Sequence, residues 1–172
     1  MRMPTFLGFP LGGEAAKLIT GRVDGLAPAV AGGAITGAIL AAVQWFGMRR
    51  TGPSPVPWIL ATAAGCAVGL GAGASAVGYR TSIGALATHG AICGAVVGVA
   101  QAAVLYRLLG RVVAAWPALL AGLWVLGWTI TTAAGIDVEA QHTVFGSSGA
   151  IVVTAATSVL AIALRQQDRV DR

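Results

Sequence analysis

The chain has 172 residues, of which 56% are hydrophobic and 10% carry charge, and its mean hydropathy is +0.80. A soluble domain carries roughly 25% charged residues, so this composition excludes a water-soluble globular fold. The net charge of +5 and pI near 10.3 do not point to a nucleic-acid partner, because the basic residues form no single footprint and fall between apolar runs.

Residues 1–26 come first. Arg2 precedes an apolar run that Pro4 and Pro10 interrupt, and no small-x-small cleavage site follows, so a removable signal is not expected. From Gly13 to Asp24 the pattern changes. Leu11, Ala15, Leu18 and Ile19 share one helical face while Glu14 and Lys17 lie elsewhere, which predicts an interfacial amphipathic helix on the outer membrane surface. A disordered tail is the alternative.

Five apolar windows follow, at 27–48, 56–77, 83–105, 112–134 and 144–164. A bilayer crossing needs about 20 mostly apolar residues. No window contains an acid or a lysine, and the arginines stand at window ends or in the joints. The joints are short, so neighbouring helices should be antiparallel. The expected fold is an all-α membrane protein, one bundle of five transmembrane helices followed by a cytoplasmic tail at 165–172.

Glycine recurs at every fourth position within these windows: Gly33 and Gly37, then Gly65, Gly69 and Gly73, then Gly90, Gly94 and Gly98. Each would cost a water-soluble helix up to about 1 kcal/mol relative to alanine. In lipid such stripes let helix backbones approach closely, so these eight residues are the predicted helix-packing positions. The fifth window repeats the spacing with Gly146, Ala150, Thr154 and Ser158.

An internal repeat organises the windows. Gly33-Ala-Ile-Thr-Gly-Ala matches Gly90-Ala-Ile-Cys-Gly-Ala, and at the same offset Gln44 falls on Gln101 and Arg50 on Arg107. One inserted residue later, Trp58 falls on Trp116, Ala63 on Ala121 and Gly69 on Gly127. The period covers two helices, so the copies share one membrane orientation, a parallel repeat. The fifth window resembles the start of a third copy without the glutamine.

Gln44 and Gln101 lie on the faces of their glycine stripes, so both amides should point into the bundle. An unsatisfied amide in hydrocarbon costs several kcal/mol. The amides therefore either hold helices together or line a polar constriction. His89, near one end of the third window, is the ionisable residue within the windows, and such residues often mark function. Asp137, Glu139 and His142 in the last joint form only a weak metal pattern, and two histidines are a thin basis for a haem site. Cys66 and Cys93 fall inside windows, where cysteine behaves as a small hydrophobe. No cofactor or metal is expected. Without a nucleotide-binding loop, a Cys-x-x-Cys motif or triad spacing, the chain is not expected to be an enzyme.

The basic residues sort by side. Arg49, Arg50, Arg107, Arg111, Arg165, Arg169 and Arg172 fall on one face, and Arg2, Lys17, Arg22 and Arg80 on the other. The positive-inside rule then sets the N-terminus outside and the C-terminus in the cytoplasm of an inner (plasma) membrane. Trp45, Trp58 and Trp116, near cytoplasmic helix ends, fit an aromatic belt, while Trp124 and Trp128 read as packing or lipid-facing bulk.

Gly33, Gly37, Gln44, Trp45 and Arg49 together give a Gly-x-x-x-Gly, Gln-Trp, Arg pattern. In this the chain resembles small uncharacterised multi-pass membrane proteins of high-GC bacteria. The second copy departs from the pattern by having Ala102 after Gln101. The resemblance implies a bacterial inner-membrane setting and no particular activity. Two function classes remain: a non-catalytic helix-packing accessory or structural subunit, and a small transporter or channel-like protein for an apolar or neutral solute. The first expects membrane lipids around the chain and a second copy or a membrane-protein partner beside it. The second expects Gln44 and Gln101 to line the path.

Overall fold

A computed structural model describes residues 7–21, 24–50 and 52–133, together with Ser158 and Ile162. The rest of the fifth window, the 165–172 tail, and Asp137, Glu139 and His142 lie outside the described residues. Among the described residues the structure is helical and contains no strand. Helix α1 covers Gly8–Thr20, α2 Leu26–Met48, α3 Pro55–Ala76, α4 Ile83–Leu109 and α5 Trp116–Ala133, with a 3₁₀ helix at Gly110–Ala115.

Local chemistry fixes the helix ends. Pro55 opens α3, where its missing N–H breaks no helical hydrogen bond. Ser82 caps α4 by accepting the Ala85 N–H at 3.4 Å. Gly110 ends α4 with φ +58°, and its N–H bonds to the Tyr106 carbonyl. Hydropathy alone ends the third window at Leu105 and starts the fourth at Val112. The backbone obeys Gly110 and Pro117 instead, so α4 continues to Leu109 and α5 begins at Trp116.

Three helical stretches are long and apolar enough to cross a membrane: Leu26–Met48, Pro55–Ala76 and Ile83–Ile130. The third comprises 48 residues, and a straight helix of that length would run roughly 70 Å, more than twice the hydrocarbon core of about 30 Å. It folds back after Gly110. Gly90 then faces Trp124, Gly94 faces Leu120 and Gly98 faces Pro117, so α5 runs antiparallel to α4. Large apolar side chains such as Leu60, Val68, Val99 and Leu126 stand exposed on the outer faces. Exposed apolar side chains of this number and size suit a lipid solvent.

Each helix packs principally on its neighbours in the chain, α1 on α2, α2 on α3, α3 on α4 and α4 on α5. The second of these contacts recurs in the fourth. Gly33 of α2 meets the backbone of Cys66 and Ala67, and Gly90 of α4 meets that of Trp124 and Val125. Gly37 meets Thr62 and Ala63, and Gly94 meets Leu120 and Ala121. The glycines are separated by 57 residues and the positions they touch by 58, the offsets of the sequence repeat.

Helix α1, expected as an interfacial helix, packs principally on α2. It runs antiparallel along α2, with Gly8 against Leu40 and Val43, Gly12 against Thr36, and Thr20 beside Gly32. Two glycines four residues apart flatten its α2-facing side, and the Thr36 hydroxyl donates to the Gly12 carbonyl at 3.3 Å.

Candidate functional site

The most developed polar constellation in the interior joins α3, α4 and α5. Gln101 on α4 donates through Nε2 to Thr62 Oγ1 on α3 at 3.1 Å. Its Oε1 accepts the indole N–H of Trp116, the first residue of α5, at 2.9 Å. Thr62 is 0%, Gln101 3% and Trp116 8% exposed, so the cluster is buried. Each end of the amide is used: the acceptor meets a donor-only indole, and the donor meets a hydroxyl. In a low-dielectric interior a satisfied set of this kind holds three helices in one register.

The repeat mates behave differently. Gln44 on α2 and Trp58 on α3 are also buried. Yet the Trp58 indole N–H is buried with no hydrogen-bond partner among the described residues, so the first copy does not make the indole–amide bond of the second. The helices carrying the two glutamines, α2 and α4, are not principal packing partners. The aromatic-belt expectation fails for Trp58 and Trp116, which are core residues. Trp116 is drawn inward by Gln101, whereas Trp45 at the end of α2 donates its N–H to the Pro53 carbonyl at 3.2 Å.

A second feature lies toward the opposite end of α4. His89 is half-buried and sits over Gly73 of α3, so closely that its ring occupies the place a Cβ at residue 73 would take. Its ring meets Trp128 edge-on with centroids 4.6 Å apart, and Trp128 lies 6.1 Å from Trp124. Nε2 of His89 is buried with no hydrogen-bond partner among the described residues. Its repeat mate Gly32 faces Ala16 and Thr20 of α1.

The neighbours of the eight glycines can be placed one by one. Gly33 and Gly37 face α3, Gly65 and Gly69 face α4, Gly73 faces His89, and Gly90, Gly94 and Gly98 face α5. A Cβ at Gly33 would stand 2.5 Å from the Cys66 carbonyl oxygen, and one at Gly94 the same distance from that of Leu120. At Gly65 the nearest atom is the Val97 Cα at 3.0 Å, and at Gly69 the Cys93 Cα at 3.0 Å. Cys66 and Cys93 are free and buried. Among the described residues no group of three or more His, Cys, Asp or Glu side chains converges to hold a metal. The sequence pointed to Gln101 but not to its partners. The signal for Thr62 was its place within the third helix's glycine face, and for Trp116 its register with Trp58.

No family model matches the chain, and neither a curated protein nor a solved structure shows detectable similarity to it.

Proposed function

We propose that this is a non-catalytic integral membrane protein that acts as a helix-packing accessory or structural subunit of a membrane assembly. The observation that carries the reading is the Gln101 cluster, in which both ends of the amide are spent on Thr62 and Trp116. A solute path needs polar groups open to a cavity, whereas the Gln101 amide is 3% exposed and engaged by protein at both its nitrogen and its oxygen. The glycine contacts add to this: backbones that close leave little room for a pore. In this reading the fifth window completes the bundle, Arg49, Arg50, Arg107 and Arg111 face the cytoplasm of a bacterial inner membrane, and the exposed apolar faces meet lipid, a second copy or a partner's helices.

The test is to extract the protein from membranes in mild detergent and determine what leaves with it by native mass spectrometry. A stoichiometric second copy or membrane-protein partner is expected. A lone monomer that binds a neutral solute, and loses that binding in the Gln44→Leu/Gln101→Leu variant while still folding, would replace the structural reading with transport.

A further inference from the structure

We propose that α1 is a membrane-embedded copy of α3, and that the chain enters α1 from the end of the bundle that carries Arg49 and Arg107. The support is a residue-by-residue match between two helix contacts at a constant offset of 57. In the α3–α4 contact, Gly65 meets Val97 and Ala100, Gly69 meets Cys93, and Gly73 meets His89. Subtracting 57 from each number gives Gly8 with Leu40 and Val43, Gly12 with Thr36, and Ala16 with Gly32, which are the contacts α1 makes on α2. A surface helix that merely touched α2 would have no reason to reproduce three successive turns of a buried contact in register. The third turn is also complementary in size. Where α3 offers glycine, α4 carries histidine; where α1 offers alanine, α2 carries glycine.

The depth of α1 follows from that of its mate. Pro55–Ala76 is long and apolar enough to cross a membrane, and α1 occupies on α2 the level that α3 occupies on α4. Its Thr20 end lies beside Gly32 in the first half of α2, and its Gly8 end reaches Leu40 and Val43, toward Arg49. The Gly8 end of α1 therefore stands at the Arg49 end, so the proposal predicts for the N-terminus the side opposite to that implied by an interfacial helix. Charge agrees with this independently. With Arg2 moved and the tail placed as its sequence suggests, the 11 Lys and Arg residues divide eight to three between the two ends instead of seven to four, a stronger positive-inside bias.

Two measurements on the full-length protein test the proposal. Single cysteines Met3→Cys, Thr51→Cys and Thr81→Cys, in a Cys66→Ala/Cys93→Ala background, are labelled with an impermeant maleimide in intact cells and again after lysis. Met3→Cys should share the accessibility of Thr51→Cys and oppose that of Thr81→Cys; the reverse pairing would overturn the proposal. In the same background, Ala16→Cys/Gly32→Cys places two Cβ atoms 3.8 Å apart, within disulfide reach. Mild oxidation of membranes, followed by labelling after denaturation in SDS, should leave both thiols of the double variant protected from maleimide, while either single variant is fully labelled. A folded double variant that never forms the bond would equally overturn it.

Discussion

Gln101 illustrates how an amide is accommodated in an apolar interior, where lipid supplies no hydrogen bonds: its nitrogen and its oxygen each find a protein partner. Replacing it with leucine strands the Thr62 hydroxyl and the Trp116 indole N–H, which it now satisfies. Gln101→Leu should destabilise the fold by about 1 to 2 kcal/mol, read as a lowered melting temperature in detergent. Glycine gives a sharper contrast. A Cβ at Gly94 would collide with the Leu120 carbonyl at 2.5 Å and the Ala121 Cα at 2.8 Å, both backbone atoms, whereas Gly122 has nothing within 4 Å. Gly94→Ala should cost about 1 to 3 kcal/mol. Gly122→Ala should be neutral or stabilising by up to about 1 kcal/mol, from helix propensity alone. Equal melting temperatures for the two variants would contradict the packing geometry. At this scale the sequence revealed the buried amides, since glutamine on a glycine face has few other readings. It concealed the role of Trp116, because an aromatic at a helix end looks the same whether it faces headgroups or a buried acceptor.

Among the elements, helix identity was legible from apolar length, and helix ends from turn chemistry more than from hydropathy. Gly110 and Pro117 set the joint between α4 and α5, overriding a window that hydropathy began at Val112. The α2–α3 and α4–α5 contacts follow the repeat because glycine fixes where two backbones can touch. Helix α1 was harder to place. Pro10, Glu14 and Lys17 mask the Gly8-x-x-x-Gly12 spacing, and the amphipathic pattern competes with it. The repeat makes a prediction that links two contacts. Gly73→Ala should destabilise α3 against α4, because the His89 ring fills that space. His89→Gly should also destabilise, by losing the edge contact with Trp128. The double variant Gly73→Ala/His89→Gly recreates the Ala16–Gly32 pairing and should recover about 0.5 to 3 kcal/mol of the summed loss. A thermal double-mutant cycle reads this coupling directly, and strict additivity would mean that the two contacts are not equivalent.

For the whole molecule, composition alone assigned a membrane class, and the three stretches able to cross a membrane agree with it. The order of packing was not legible: Gly94 turns toward α5 and not toward α3, because nothing in a period-four stripe says which neighbour it faces. Function was less legible still, since packing residues and path-lining residues are drawn from the same small and amide side chains. In the proposed reading the Gln101 amide binds the bundle together and does not conduct. It is tested most directly by a density map of the protein in a lipid nanodisc, at a resolution that shows ordered water. The expected map shows Gln101 bridging Thr62 and Trp116 with no water beside it, and closed backbones at Gly33, Gly37, Gly90 and Gly94. A continuous water-filled cavity reaching both Gln44 and Gln101, with the Gln101 amide turned away from Thr62 and Trp116, would contradict it.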